Sequence, residues 1–382
     1  MTSKINTIGI DARFYGEAGP GRYVKNIIQH LEQIDTANKY VIFLRQTGFD
    51  AYQPKNPNFA KVLAHYNWYS FAEQLGFLVK ILKYKPNLLY VPHFNFPVLY
   101  PGKLVTAIPD IIMHTFSTER GTTLPKPYFK FKKLVYYLVV LWAVVRSNKV
   151  IVPSLDVKND FLKFYKFIPQ LKFVLAYEGI DPDLITKPKL NPQQVLDKYK
   201  IRRPFLLYVS SMYEHKNVER LVDAFKLLQD KYGFLGQLVL IGKNDSFAQK
   251  INQKVRDLRL ENTVLMPGMI TYVPDADVVA LHSQAEVYVF PSLKEGFSLT
   301  PLEGMIAGLP AVISNIPCHK EIYGDSVVYF DPLNTGDMAE KINNVLIDNT
   351  LKESLIAKGF ELVKKYNWLD TAKITLEVFK NS

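Results

Sequence analysis

Short apolar, β-branched runs alternate with helix-length amphipathic stretches along both halves of the chain. This alternation is typical of sheets of parallel strands joined by helices. The predicted strands of the first half are residues 7–10, 40–44, 88–91, 104–108, 149–152 and 172–175. Those of the second half are residues 205–209, 237–241, 263–266, 287–290, 311–313 and 327–330. The sequence therefore predicts two doubly wound α/β units.

The chain length and one break in this pattern indicate where the units divide. A chain of 382 residues exceeds what one ordinary core accommodates. Residues 181–203 are rich in proline and lysine and interrupt the alternation, which predicts a linker region. We expect one Rossmann-like domain at residues 1–180 and another at 181–364, with a helix at 365–382 packing back on the first. Because ligands bind beyond the carboxyl ends of such strands, we expect the domains to face each other across a cleft that holds the site.

The net positive charge comes from the first part of the chain. Residues 1–172 contain 23 Lys and Arg against 10 Asp and Glu, whereas residues 173–382 contain 24 against 26. Such an excess either attracts an anionic partner, for example acidic lipid or a phosphorylated substrate, or is simply a solvated surface. Basic residues do not alternate with stacking aromatics as in RNA-binding signatures, so no nucleic-acid partner is expected.

One apolar segment bears on membrane contact. Residues 134–145 form a run of 12 apolar residues, and four lysines precede it: Lys126, Lys130, Lys132 and Lys133. A spanning helix needs about 20 apolar residues, so this segment is too short to cross a bilayer. Two readings remain, a buried domain helix or a helix whose basic and aromatic residues rest on an anionic membrane. We favour a core helix with a basic, aromatic end that faces the membrane.

Cysteine usage and the start of the chain indicate the compartment. The single cysteine, Cys318, excludes an internal disulfide and a cysteine-rich metal site, which fits a reducing environment. No secretory signal precedes the first predicted strand. The expected location is the cytoplasm, with peripheral contact at the inner face of the cell membrane as an extension of that expectation.

Two glutamates, Glu295 and Glu303, stand eight positions apart between a buried strand and a helix-like stretch. We predict a glycine-containing loop after the strand, and a helix opened by Pro301. The free N–H groups and the positive dipole end of such a helix bind anions, most often phosphate. An alternative is a capping box formed by Thr300 and Glu303, which would be purely structural.

This passage and several others together resemble the family-4 retaining glycosyltransferases, whose fold is GT-B, and in particular bacterial mannosyltransferase-like group 1 members. The resemblance rests on Glu295-x7-Glu303, Gly308-Leu309-Pro310-Ala311-Val312, His319-Lys320-Glu321-Ile322, Gly324-Asp325, Gly9-Ile10-Asp11, Gly19-Pro20-Gly21-Arg22-Tyr23, Val152-Pro153-Ser154, Glu178-Gly179-Ile180-Asp181, Lys216-Asn217 and Trp368. It extends along nearly the whole chain and implies the GT-B fold and transfer of a sugar.

The resemblance also implies a donor site for a nucleoside-diphosphate sugar. Lys216 is expected to bind the diphosphate and Glu303 the ribose, both from solvent-facing positions, while Glu295 holds the transferred sugar. An arginine or serine normally stands five residues before the lysine, and here it is Ser211. His215 or Arg220 is expected to add positive charge. The other expected donor-site residues are Gly19, Gly21, Arg22, Gly296, Phe297, Ser298, Leu299 and Thr300.

The acceptor side departs from the family at one position. Asp110 matches the second residue of a His-Asp pair that touches the donor sugar, but Pro109 replaces the histidine. We expect Asp110 to be catalytic, and His114 is a candidate to replace the missing side chain. His93 and Asn95, at the end of a predicted strand, are the expected acceptor-binding residues, although a rigid loop without a ligand is an equal alternative.

The implied reaction is the transfer of a hexosyl group, with retention of configuration, to a glycan or lipid-linked acceptor. The expected enzyme uses no cofactor and no metal ion. Asp275 and Asp277 resemble an Asp-x-Asp metal-binding motif, but their sequence context indicates the N-cap of a helix instead. Two other functions remain possible for this sequence: a nucleotide-sugar epimerase of the same fold and a catalytically silent homologue. The epimerase would carry a carboxylate and histidine set that the sequence lacks, and the silent homologue is suggested mainly by Pro109.

Overall fold

The computed structural model describes residues 6–17, 19–116, 126–181 and 190–382. Among these, one compact unit holds the residues up to 116, 126–179 and 367–382, and the other holds 180–181 and 190–366. The sequence-based boundaries at 180 and 364 lie one and two residues from these divisions. Each unit is built around one parallel sheet.

The sheet of the first unit has seven strands in the order β3-β2-β1-β4-β5-β6-β7 among the described residues. The strands are β1 Thr7–Asp11, β2 Lys39–Leu44, β3 Phe59–Leu63, β4 Leu88–Val91, β5 Lys103–Ala107, β6 Lys149–Val152 and β7 Phe173–Leu175. All six pairings are parallel. The strand order reverses between β1 and β4, which makes the carboxyl ends of these two strands the switch point where doubly wound sheets bind ligands.

Strand β3 is the one that the sequence pattern failed to predict. It lies at the edge of the sheet and buries only Phe59 and Val62, so its sequence lacks a continuous apolar run. The side chain between them, Lys61, places its Nζ on the carbonyl oxygens of Phe49 and Tyr52, at 2.8 and 2.9 Å. Because Phe59 and Val62 are three positions apart, they lie on opposite faces of the strand, and the sequence shows no alternation that would indicate a strand.

The second unit contains a six-stranded parallel sheet with the order β10-β9-β8-β11-β12-β13. Its strands are β8 Phe205–Val209, β9 Gln237–Ile241, β10 Val264–Leu265, β11 Val287–Phe290, β12 Ala311–Ser314 and β13 Val328–Phe330. Strands β8, β9, β11 and β12 are almost wholly buried because helices cover both faces of the sheet. These strands match the apolar runs that predicted them.

Helices connect the strands in both units. Those of the first unit are α1 Pro20–Ile34, α2 Gln46–Ala51, α3 Leu78–Tyr84 with a π-turn Glu73–Phe77 before it, α4 Ile112–Thr115, α5 Lys126–Arg146 and α6 Leu155–Phe164. Those of the second unit are α7 Pro192–Tyr199, α8 Val218–Tyr232, α9 Ser246–Asp257, α10 Asp275–His282, α11 Leu299–Ile306, α12 Pro317–Tyr323, α13 Thr335–Ile347 and α14 Asn349–Val363. None of the helices in the described ranges combines the length and apolar composition needed to cross a bilayer.

The last helix, α15 Trp368–Lys380, returns to the first unit. The fully buried Trp368 ring meets Tyr23 of α1 edge-on at 5.6 Å, and Phe379 contacts Tyr90 of β4 at 5.0 Å. The chain passes so close to Gly179 that a Cβ there would lie 2.2 Å from the Trp368 nitrogen. Aromatic packing therefore fixes the C-terminal segment on the first unit.

Candidate functional site

A buried ion pair lies at the carboxyl edge of the second sheet. Lys216 follows β8 at the end of a 3₁₀ turn, and Glu295 lies in the loop after β11. Their side chains meet with Nζ 2.6 Å from Oε1. The two loops are also joined through the backbone, because the Leu293 N–H donates to the His215 carbonyl at 2.7 Å. Neighbouring parallel strands thus bring together two residues that are 79 positions apart.

Little of this pair reaches solvent: the exposed fractions of the two side chains are 13% for Lys216 and 7% for Glu295. The expectation that Lys216 faces solvent is therefore wrong. Burial alone would raise the pKa of Glu295, but the charge and hydrogen bond of Lys216 outweigh burial and hold this pKa below its usual value. The Lys216 ammonium also lies 5.3 Å from the centre of the Phe290 ring. The pair is a charged hydrogen bond in a largely water-free environment.

Of the two neighbours expected to add positive charge beside Lys216, His215 does not. Burial and the charge of Lys216 lower the pKa of His215 to about 4, so its ring is neutral at pH 7. Arg220 donates to the Asn217 side-chain oxygen at 2.8 Å. Asn217 itself has φ of 59° and donates to the carbonyls of Pro291 and Pro332. These contacts hold the Lys216 turn against the loop after β11.

Glycines bring the backbone of neighbouring strand ends close to this turn. A Cβ on Gly242, after β9, would lie 2.6 Å from the Ser210 carbonyl oxygen, and one on Gly268 would lie 1.9 Å from the Gly242 oxygen. The carbonyl of Ser211 accepts a hydrogen bond from the Tyr208 hydroxyl at 2.5 Å. Sequence reasoning missed the two glycines, because single glycines after strands carry no distinctive signal.

Helix α11 begins earlier than the sequence indicated. Its N-cap is Ser298, which has a left-handed φ of 77°, and Pro301 is the third helical residue. Thr300 therefore lies inside the helix, and the capping-box alternative is wrong. Glu303 is half-buried on α11, and its charge adds to burial in raising the pKa of Tyr288 on the adjacent strand. The amino end of α11 and the ion pair occupy the same edge of the sheet.

Helix α12 holds the Ser298 backbone in its unfavourable conformation. The Tyr323 hydroxyl donates to the Ser298 carbonyl, and Ser298 Oγ lies 3.3 Å from His319 Nε2. The other ring nitrogen of His319 donates to the Ser314 carbonyl at 2.9 Å, because a carbonyl oxygen only accepts. Cys318 Sγ lies 3.7 Å from the Phe297 carbonyl. His319 belongs to the motifs that carry the family resemblance, but sequence reasoning gave neither it nor Tyr323 a role.

In the first unit, glycines shape the loop between β1 and α1. Gly19 is the N-cap of α1 with φ of 67°, and a Cβ on Gly21 would lie 2.4 Å from the Phe14 carbonyl oxygen. Both positions therefore require glycine for the backbone itself. Arg22 follows in the first turn of α1, with its N–H on the Gly19 carbonyl at 3.0 Å.

A carboxylate that sequence reasoning left without a role lies near Arg22. Burial raises the pKa of Glu178, after β7, to about 7, with Arg22 opposing this shift and Asp110 adding to it. Asp110 follows β5 and accepts the Ile112 N–H at 2.9 Å. Three charged residues from separate parts of the sequence thus interact at one edge of the first sheet. The sequence signal for Glu178 was the Glu178-Gly179-Ile180-Asp181 motif, while Arg22 and Asp110 were already candidate site residues.

His114 does not replace the histidine missing at position 109. Its Nε2 lies 2.7 Å from the Tyr165 hydroxyl and its Nδ1 lies 3.2 Å from the Tyr136 hydroxyl. Burial and the charge of Lys133 lower its pKa to about 4. Both ring nitrogens contact tyrosine hydroxyls in an aromatic cluster. The prediction that His114 replaces the missing histidine is therefore corrected to a packing role.

His93 and Asn95 lie above a buried charge network. Arg13 contacts Asp11 and Glu73, each at 2.7 Å, and Asn95 Nδ2 donates to Glu73 at 2.7 Å. His93 stacks between Phe14 and Phe94, its Nδ1 accepts the Asn95 N–H at 3.3 Å, and burial lowers its pKa to about 4. The Asn95 amide is thus committed to the network, while His93 presents a neutral ring.

The aspartates of the Asp-x-Asp segment have structural partners. Asp277 accepts hydrogen bonds from Lys198 at 2.7 Å and Tyr199 at 2.5 Å. The N-cap of α10 is Pro274, so the N-cap expected at Asp275 is displaced by one residue. Within the described residues no group of three or more His, Cys, Asp or Glu side chains is arranged to hold a metal ion.

Comparison with known proteins identifies this arrangement. Residues 194–362 match the family described as glycosyl transferases group 1. The chain carries a group 1 glycosyltransferase domain. The matched range contains Lys216, Glu295, α11 and α12, so the ion pair and the helices around it belong to that domain.

Relatives extend the likeness to the whole enzyme. The chain is 24% identical to O-antigen chain mannosyltransferase B of Escherichia coli over 387 residues, covering 96% of this chain and 97% of that protein. Its structure is similar to that of WaaG, a glycosyltransferase involved in lipopolysaccharide biosynthesis, with a TM-score of 0.73, 16% identity and coverage of 97% and 99%. HepE from Anabaena, solved with UDP and glucose, has a TM-score of 0.73, 16% identity and coverage of 99% and 100%. The glycosyltransferase therefore has the GT-B fold.

Removing the positive partner should make the stability of the enzyme depend strongly on pH. In Lys216→Met the Glu295 carboxylate is buried without its cation, so we expect a loss of about 3–5 kcal/mol of unfolding free energy at pH 7. The native pair contributes stability above the unfolded pKa of Glu295 and loses it as pH falls through the lower folded pKa. The difference between native and variant should therefore shrink on acidification.

Urea unfolding of both proteins between pH 7 and pH 4 measures this difference. The control is Lys216→Met combined with Glu295→Gln, which buries no unpaired charge and should recover part of the loss. A loss that stays the same at every pH would contradict the ion-pair assignment.

Proposed function

We propose that the enzyme transfers a hexosyl group from a GDP- or UDP-linked sugar to a glycan or lipid-linked acceptor, with retention of configuration, in cell-surface polysaccharide synthesis. The observation that carries this proposal is the Lys216–Glu295 pair beside the amino end of α11. A cation, a helix amino end and a carboxylate at one sheet edge suit a diphosphate joined to a sugar. The acceptor class rests on the likeness to an O-antigen chain mannosyltransferase.

The diphosphate is assigned to Lys216 and the N–H groups at the start of α11. The Lys216 ammonium has three N–H donors and uses one on Glu295, so the others are available for phosphate oxygens. Leu299 and Thr300 are the first two helical residues, whose N–H groups have no partner within the helix. Phe297 contributes through its backbone, because its ring is buried against Tyr366 at 5.3 Å.

Two carboxylates are assigned to the sugar hydroxyls of the donor. Glu303, on α11, accepts hydrogen bonds from the ribose hydroxyls. Glu295 accepts from hydroxyls of the transferred sugar and offsets positive charge at the anomeric carbon. Ser211 and Gly296 line the same strand ends and complete the donor site with backbone groups.

The reaction requires no protein nucleophile. The bond from the anomeric carbon to the diphosphate oxygen breaks as the acceptor oxygen bonds to that carbon on the same face. The acceptor proton passes to the departing phosphate oxygen, which acts as the base. Lys216 and the helix amino end stabilise the negative charge on the leaving group, so no metal ion or cofactor is invoked.

The first unit is assigned to the acceptor. His93 offers a neutral ring at the carboxyl end of β4, and Asp110 lies with Glu178 and Arg22 at the same edge. We assign Asp110 and Glu178 to hydroxyl groups of the sugars, because Pro109 offers no polar side chain. The basic start of α5, with Lys130, Lys132 and Lys133, places this unit against anionic lipid at the inner face of the membrane.

One screen decides the donor class. Thermal unfolding of the full chain, with GDP, UDP, their sugars and the free nucleosides, should show stabilisation by one nucleoside diphosphate and its sugar. Product release with a matching acceptor then distinguishes transfer from epimerisation. A chain that no nucleotide stabilises would exclude the proposed function.

Replacing Glu303, the residue assigned to the ribose, should weaken binding of the nucleotide-sugar donor selectively. Glu303→Gln removes a charge-assisted hydrogen bond worth about 1.5–3 kcal/mol, so affinity for the nucleoside diphosphate should fall roughly ten- to hundredfold. Isothermal titration measures it, with Glu353→Gln on the exposed side of α14 as the control. Equal affinities for both variants would rule out the ribose assignment.

Loss of the Tyr323 hydroxyl should weaken phosphate binding without touching the nucleotide directly. Tyr323→Phe leaves the half-buried Ser298 carbonyl without this donor, so the start of α11 relaxes and diphosphate affinity should fall about tenfold. Tyr329→Phe is the matched control, since its hydroxyl donates to the backbone carbonyls of His319 and Gly324 and not to Ser298. Binding of the free nucleoside should be equal in both variants. A fall for the nucleoside as well would indicate general loss of structure instead.

Metal removal should leave transfer intact. Because Lys216 and helix N–H groups meet the phosphate charge in this proposal, the transfer rate should be unchanged in excess EDTA. Radiolabelled sugar transfer with and without EDTA, followed by addition of Mn²⁺ or Mg²⁺, measures this. Rescue of a lost activity by either ion would overturn the metal-free mechanism.

A further inference from the structure

Helix α3 and the residues before it expose large apolar side chains in a row. Phe71, Leu75 and Val79 are 90%, 62% and 67% exposed. They recur every four residues, while Phe77 and Ile81 of the same segment are fully buried in the core. This segment therefore has two apolar faces, and only one of them packs against the first unit. Monomeric proteins seldom expose such a contiguous apolar row without a partner.

A short connection joins this row to a second one on α5. The Val98 N–H donates to Gln74 in the π-turn at 2.8 Å, and its carbonyl accepts from Trp142 of α5 at 3.0 Å. Between the two helices, Leu99 is 71% exposed. Phe77 and Ala143 belong to one buried cluster, so both helices cover the same face of the sheet. From residue 130 onward, where the side chains of α5 are described, its large exposed apolar residues are Phe131, Leu134, Val135, Leu138, Trp142 and Val145.

The charges around these rows have one sign. Residues 71–100 and 126–146 contain a single acidic residue, Glu73, which is fully buried and paired with Arg13. The basic residues of the same segments are Lys80, Lys83, Lys85, Lys126, Lys130, Lys132, Lys133 and Arg146. Apolar rows on segments whose exposed charges are all positive are complementary to an anionic lipid surface.

We propose that the exposed faces of α3 and α5, with Leu99 between them, form one docking surface for an anionic lipid bilayer. This inference rests on the proposed function, because an acceptor carried by lipid lies at such a surface, and it adds α3 and Leu99 to the contact expected at α5. The apolar side chains enter the boundary between headgroups and acyl chains, and the lysines contact the headgroups. A second copy of the chain fits less well, because a two-fold contact would place like charges opposite each other.

Vesicle binding by the full chain tests the surface. The variant Phe71→Ser/Leu75→Ser/Val79→Ser removes the apolar row of α3 from exposed positions. The control, Leu171→Ser/Leu235→Ser/Ile270→Ser, changes three equally exposed apolar residues elsewhere. Flotation with vesicles of phosphatidylcholine and phosphatidylglycerol should show a fall of at least about tenfold for the α3 variant only.

A charge-reversal variant and the salt dependence distinguish the electrostatic part of the membrane contact from the apolar part. Lys130→Glu/Lys132→Glu/Lys133→Glu should lose binding to the acidic vesicles, and native binding should weaken in high salt and on phosphatidylcholine alone. Native-like flotation of the α3 variant would overturn the proposal. The proposal would also be overturned if the native chain did not bind vesicles but formed dimers that the α3 substitutions dissociate. Nucleoside diphosphate binding without vesicles should be equal in all variants, so the donor assignment is tested separately.

Discussion

Parallel strand pairing is the constraint on which the rest of this structure depends. The strand pairs of both sheets are parallel, so each connection crosses from one end of the sheet to the other, in most cases through a helix. The carboxyl ends of the strands, and the loops that follow them, consequently gather at one edge of each sheet. Lys216 and Glu295 meet for this reason alone, since β8 and β11 are neighbours in the sheet although 79 residues separate the two side chains.

The buried charges determine which chemical groups suit the carboxyl edge of each sheet. In the second unit one cation meets one carboxylate, and the amino end of α11 adds positive potential beside them. In the first unit Arg13 meets two carboxylates, Asp11 and Glu73, and the network keeps an excess of negative charge below His93. The first arrangement suits a phosphate group, and the second suits neutral hydroxyl groups.

Neighbouring structure maintains a strained backbone in the loop between β11 and α11. A left-handed backbone at Ser298 is unfavourable for a residue with a side chain, and it persists because α12 contacts both its carbonyl and its hydroxyl. Three side chains of one short helix, Cys318, His319 and Tyr323, reach the same two residues of the loop. The direction of the first N–H groups of α11 is therefore set by a helix that follows it in sequence.

The sequence by itself determined the α/β class and most strands, and it predicted a division into two domains and a donor-site role for Glu295, Glu303 and Lys216. Buried parallel strands leave continuous apolar runs, and glycines and prolines end them, so these features are local. The sequence did not reveal β3, because this edge strand buries only two of its five residues and lacks such a run.

Only the tertiary structure decided which partners the polar side chains take. It paired Lys216 with Glu295, assigned His114 to tyrosine hydroxyls, and placed Glu178 near Asp110, with its pKa raised to about 7. It also left the apolar row of α3 exposed, although its pattern alone is equally consistent with a buried helix. Hydrogen bonds and desolvation depend on atoms a few ångströms apart in space, and sequence separation carries almost no information about those distances.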